Sequence, residues 1–125
     1  MKAFVFACAL VVVFAACASA QPRHGSKGPH GGPLEDVAGV HAELITSGNV
    51  ITIHVVDEDS KPVSTQGYSG SLLIVTGAIR ETVKLAPTGD SALRGEAKSA
   101  VTPSSVISLV LKTGEGKSGQ IRFKR

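Results

Sequence analysis

Turn-forming clusters break this chain at short intervals from residue 47 onward, and that spacing limits the possible folds more than any other feature. The breakers are "SGN", "DEDSKPVSTQG", "TGA", "PTGD", "TPSS" and "TGEGKSG". Between them lie short runs rich in Val, Ile, Leu and Thr, which read as strands near 37–46, 49–57, 70–77, 80–86, 91–97, 105–112 and 119–124. No window of helical length carries an apolar stripe of period 3.6. The pattern predicts an all-β, antiparallel sandwich or barrel of about seven strands.

Alternation along the runs divides inward from outward positions. In "VHAELI", Val40, Ala42 and Leu44 share one face, and His41, Glu43 and Ile45 share the other. In "NVITIHVVD", Ile51, Ile53 and Val55 point one way and Val50, Thr52, His54 and Val56 the other. The expected core continues through Val83, Leu85, Ile107, Leu109, Leu111, Ile121 and Phe123. The aliphatic side chains must form it, because beyond residue 20 the chain has a single phenylalanine (Phe123), a single tyrosine (Tyr68) and no tryptophan.

The N-terminal stretch "MKAFVFACALVVVFAACASA" reads as an export signal over residues 1–20. Lys2 supplies the positive end, Ala3 to Ala16 the apolar run, and "ASA" the small-residue cleavage site. The run is shorter than the roughly 20 residues of a transmembrane helix. "FAAC" ending at Cys17 offers an alternative, a lipobox whose cleavage would leave an acylated cysteine at a membrane face. The expected location is therefore periplasmic or secreted, with a lipid-anchored form as the alternative. Both cysteines, Cys8 and Cys17, fall within this stretch, so the domain must hold together without a disulfide. Residues 21–35, crowded with glycine and proline, read as a mobile leader, and 36–125 as the β-domain.

Four histidines carry most of the chemistry available. The turn between the first two runs sets their neighbours. Burying Ala42 and Leu44 together with Ile51, Ile53 and Val55 requires an even number of loop residues, since a one-residue slip would turn a strand inside out. A turn at Gly48-Asn49 sets Glu43 opposite His54, and a turn at Ser47-Gly48 sets His41 opposite His54. Either register puts His41, Glu43 and His54 on one outer face, with directly opposed Cβ atoms roughly 5 Å apart and diagonal ones about 7–8 Å. Two imidazoles and a carboxylate at that spacing suit Cu(II), Zn(II), Ni(II) or Co(II), with water completing the shell. The competing reading is an ordinary polar cross-strand pair. His30, between Pro29 and Gly31-Gly32, sits in backbone able to fold over a neighbouring strand and is an optional fourth ligand. His24 falls at position four of a chain cleaved before Gln21, and Pro22 removes the amide that an N-terminal copper chelate needs.

Enzymatic signatures are absent. There is no GxSxG elbow, and the glycines of "GSKGPHGGP" precede no helix, so they form neither a P-loop nor a dinucleotide fingerprint. No catalytic residue is assigned. The formal charge is only +3, with basic and acidic residues interspersed. The terminal "RFKR" reads as a solvated chain end, and no aromatic platform supports nucleic-acid binding.

The order "HGGPL…VHAELI…NVITIHVVDEDSKPV…KLAPTGDSALRGEA" resembles a group of small exported bacterial proteins. It is similar, too, to the β-rich N-terminal module of some periplasmic adaptor subunits of heavy-metal efflux systems. The likeness spans nearly all of 28–124, through pieces that are mostly turns and strand edges. It implies an immunoglobulin-like sandwich in the cell envelope near metal resistance, with His30, His41 and Glu43 as positions for metal contact. Components of a metal efflux system would then be the partners. The chain holds no adaptor hairpin or lipoyl domain, and Met1 is its only methionine, which argues against a Cu(I) carrier. Two functions follow as expectations: non-enzymatic handling of a divalent transition metal, or an envelope interaction module that docks through an exposed edge strand.

Overall fold

The computed structural model describes residues 26–125. The expected signal segment, Cys17 and His24 lie outside the described residues. Eight strands form, β1 (Leu34–Val37), β2 (Val40–Ser47), β3 (Val50–Val56), β4 (Ser69–Thr76), β5 (Ile79–Thr88), β6 (Ala92–Glu96), β7 (Val106–Lys112) and β8 (Ser118–Arg122). They pair throughout in antiparallel fashion, in the order β1-β2-β3-β6-β5-β4-β7-β8. The all-β expectation stands. Among the described residues there is no helix long and apolar enough to cross a membrane.

The strand count departs from the expected seven at one place. The extra strand lies mostly N-terminal to the run expected over 37–46. That run opens with a turn, because the chain reverses at Ala38-Gly39, where both residues have positive φ (51° and 83°). That is the two-residue turn whose twist matches a hairpin. It makes Leu34–Val37 a strand of its own, with Val37 facing Val40 and Leu34 facing Glu43.

The sheet is bent and nearly closed. β5 produces the bend: Ile79 to Leu85 pair with β4, and Ala86 to Thr88 pair with β6, so one strand serves both halves. The end strands β1 and β8 then meet, and a side chain at Gly119 would press against Val37 and the amide of Ala38. Inside lie Ala42, Leu44, Ile51, Ile53 and Val55 from the first half, and Leu72, Ile107, Leu109 and Leu111 from the second. The predicted core residues Val83, Leu85 and Phe123 join them. Side chains buried at this density each stabilise by about 1.5–3 kcal/mol relative to exposure. Among the described residues the core runs from Val37 to Phe123.

Part of the expected leader has a fixed place. From Ser26 onward it folds back: Lys27 bridges to Pro33, the Gly28 amide donates to the Gly32 carbonyl (2.8 Å), and the Leu34 amide donates to Ser26 (2.9 Å). The Leu44 amide then donates to the Pro33 carbonyl (3.0 Å), which ties this loop to β2. Glycine and proline content pointed to disorder; a specific acceptor on β2 gives the loop its fixed place.

Candidate functional site

The β2–β3 hairpin decides what the histidines meet. Gly48 has φ of 60° and takes the first position of a two-residue turn with Asn49, so Ser47 faces Val50. Leu44 then faces Ile53, Ala42 faces Val55, and Glu43 faces His54, the first of the two registers open at the sequence level. His41 faces Val56 instead of His54.

Glu43 points to the outer face as alternation requires, yet it is completely buried, because the 28–33 loop lies over it. An unpaired buried carboxylate would be costly, so its oxygens need donors. Oε2 accepts the main-chain amides of His30 (2.8 Å) and Gly32 (2.9 Å). Oε1 meets the Nδ1 of His30 at 2.8 Å. Two glycines make the approach possible. A Cβ on Gly28 would collide with the Glu43 carboxylate, and one on Gly32 with the Leu44 carbonyl.

The His30 ring also stacks on His54, with centroids 3.8 Å apart and planes 14° from parallel. A carboxylate can only accept, so the contact to Glu43 puts a hydrogen on His30 Nδ1 and leaves Nε2 as the lone-pair nitrogen of the neutral ring. That ring is half exposed. His54 is held below its ordinary pKa of 6.5, first by burial and then by the neighbouring His30, with the Glu43 charge opposing both. Two stacked imidazolium rings would repel, and the depression of His54 keeps its ring neutral near pH 7.

His41 lies apart from this cluster. Its Nδ1 contacts Asp36 Oδ1 at 2.6 Å across the β1–β2 pair. It borders a small pocket shared with Asp57, Glu58 and Ser60. Asp57 is already engaged there, accepting the amides of Asp59 and Lys61 in its own turn. Of the four residues expected at a metal site, the structure therefore joins His30, Glu43 and His54 and separates His41. Among the described residues no group of three or more His, Cys, Asp or Glu side chains is placed to hold a metal ion. The geometry of the cluster explains this: imidazole lone pairs lie in the ring planes, and two nearly parallel rings do not aim them at one point. Glu43, enclosed and fully bonded, orients His30.

Sequence reasoning left Asp36 and Gly28 without a role. The strand split at Ala38-Gly39 conceals Asp36 as the His41 partner. Gly28 matters only once the loop is known to lie on Glu43. A second groove, at the end of the barrel, is lined by Val40, Val63, Tyr68, Thr113, Glu115 and Lys117. The Tyr68 phenol there is pushed above its ordinary value by burial and by Glu115, which keeps it protonated. Comparison with protein-family models, with curated proteins and with solved structures finds no match to this chain.

Proposed function

We propose that this chain is an exported, non-enzymatic β-domain that handles a divalent transition metal in the cell envelope, through an open site centred on His30. The carrying observation is the buried Glu43 carboxylate, which fixes the His30 ring through Nδ1 and leaves Nε2 as the nitrogen able to bind a metal. Carboxylate–histidine pairs of this kind orient metal-binding imidazoles and raise their basicity. His54 becomes the second ligand when its ring turns out of the stack, and water or a partner completes the shell. Glu43 acts as the orienting group and His41 stands outside the site. A site with two protein ligands binds weakly and exchanges readily, which suits a carrier that hands its ion to an efflux assembly. The efflux connection and the immunoglobulin-like sandwich rest on the resemblance in sequence, and the periplasmic location on the export signal read over residues 1–20.

A second reading has its own support. Every acceptor position of Glu43 that the loop reaches is filled without a metal, so the cluster also works as a clasp, and the protein would then be an interaction module with incidental histidines. Calorimetric titration of metal-free Gln21–Arg125 with Cu(II), Zn(II), Ni(II) and Co(II) at pH 7 separates the two. The metal reading expects one-to-one binding in the micromolar range, abolished by His30→Ala, weakened by His54→Ala and at pH 5, and retained by His41→Ala. Absence of binding, or binding indifferent to His30, leaves the clasp alone.

A further inference from the structure

The outer face of the β5–β4–β7–β8 half presents four cations and no acid. The registers align Arg80 with Val75 and Val106, and Lys84 with Ser71 and Val110. Arg122 lies in the row of Leu73 and Ser108, and Lys112 in the row of Ser69. Glu81, the only acid in these strands, occupies the inward row opposite Ile74 and accepts the Lys98 amide. Arg80, Lys84, Lys112 and Arg122 are all exposed, and none has an ion-pair partner among the described residues. They surround an aliphatic centre in which Val106 is 40% and Val110 45% exposed.

We propose that this face docks on an anionic lipid surface. Charge complementarity is the first argument: unpaired cations on one face, each near an anionic bilayer, add binding in proportion to their number. Shape is the second. Buried aromatic anchors carry much of the energy of protein interfaces, whereas this face sets short aliphatic side chains among its cations and has no aromatic ring. Its one depression is a shallow groove lined by Ser69, Ser71, Lys84, Val110 and Lys112. Two ammonium groups flanking two hydroxyls suit a lipid phosphate, while Val106 and Val110 reach the headgroup boundary as other interfacial apolar groups do. β4 and β7, the central strands of this face, are each paired on both sides, so strand addition from another protein finds no opening where Val106 and Val110 stand.

Gln21–Arg125 contains every described core residue and is the form to test, since the apolar N-terminal stretch would enter lipid by itself. It would be sedimented with vesicles of phosphatidylcholine alone and with vesicles carrying phosphatidylglycerol at about one lipid in three. Binding is expected only to the anionic vesicles, lost at high salt. It should fall more than about tenfold in Lys84→Ala/Lys112→Ala and again in Arg80→Ala/Arg122→Ala. Arg94→Ala, on the opposite face and paired to Glu96, should leave it unchanged. Equal binding to both vesicles overturns the proposal. So does binding that survives both double variants, which would move the contact to Lys124 and Arg125. No sedimentation at all overturns it too, and assigns the face to a protein with an acidic surface.

Discussion

The two outer faces of this barrel solve the same problem in opposite ways. On the β1–β2–β3–β6 side, charges are paired or covered: Glu43 lies under the 28–33 loop, His41 contacts Asp36, and Arg94 contacts Glu96 at 3.2 Å. On the β5–β4–β7–β8 side, four exposed cations have no ion-pair partner among the described residues. A hydrated charge costs the fold nothing, whereas a buried one must have its hydrogen bonds met. The first face is thus part of what holds the chain together. The second is indifferent to folding and free for something outside the molecule.

The strongest way to break that contrast is to remove the buried carboxylate. Glu43→Ala would leave two amides and an imidazole without their acceptor and release the loop from β2. The expected loss is about 3 kcal/mol, within the range for breaking charge-assisted bonds of a buried group. The midpoint of urea unfolding measures it. An unchanged midpoint would mean that the loop contributes nothing to the fold. Glu43→Gln should recover part of the loss, since the amide oxygen still accepts.

Gly28→Ala tests the same cover from the loop side. Its Cβ would strike the Glu43 carboxylate, so either the loop lifts or the carboxylate swings. Overpacking of this kind costs about 1–3 kcal/mol. Hydrogen exchange at the His30 and Gly32 amides should rise in this variant, while the β4 and β7 amides remain protected. Uniform exchange across the barrel would contradict a local clasp.

How much of this was legible depends on the distance over which each feature is decided. The shared face of Glu43 and His54 follows from local arithmetic, because only an even loop buries Ala42 and Leu44 with Ile51, Ile53 and Val55. Two registers satisfy that rule, and the turn at Gly48-Asn49 selects the one that pairs them. The all-β class followed from turn spacing in the same local way. The extra strand was hidden by Ala38, an alanine at φ 51° where glycine or asparagine is the usual signal. Burial of Glu43 was hidden for another reason: alternation assigns a side chain to a face and says nothing of what later covers that face. The Gly31-Gly32 pair hinted that His30 could fold back, but the target was set by the acceptor geometry of β2. Meeting of β1 and β8 joins the two ends of the domain, the contact least readable from neighbouring residues.

Titration sharpens the contrast further. His54 has a folded-state pKa below 6.5, so below that value the unfolded chain takes up the proton first. The stability that neutral His54 contributes is complete above about pH 6.5 and is lost as pH falls through the folded value. Unfolding midpoints at pH 7 and pH 5 should therefore draw apart more in the parent chain than in His54→Gln. Equal separation would show that burial of His54, with His30 beside it, does not depress the ring's protonation.

The smallest expected effect lies on the open face, and it is the one the comparison most depends on. Lys84→Ala or Arg122→Ala removes an exposed charge that touches no acid, so the unfolding free energy should shift by less than about 0.5 kcal/mol. A slight gain is the more informative result, since thinning a cluster of like charges relieves their mutual repulsion at low salt, and salt should erase that gain. A loss of several times that size would mean the cations are tied into the fold after all. The face would then be one more covered surface, and the division between a side that folds the protein and a side that meets its surroundings would fail.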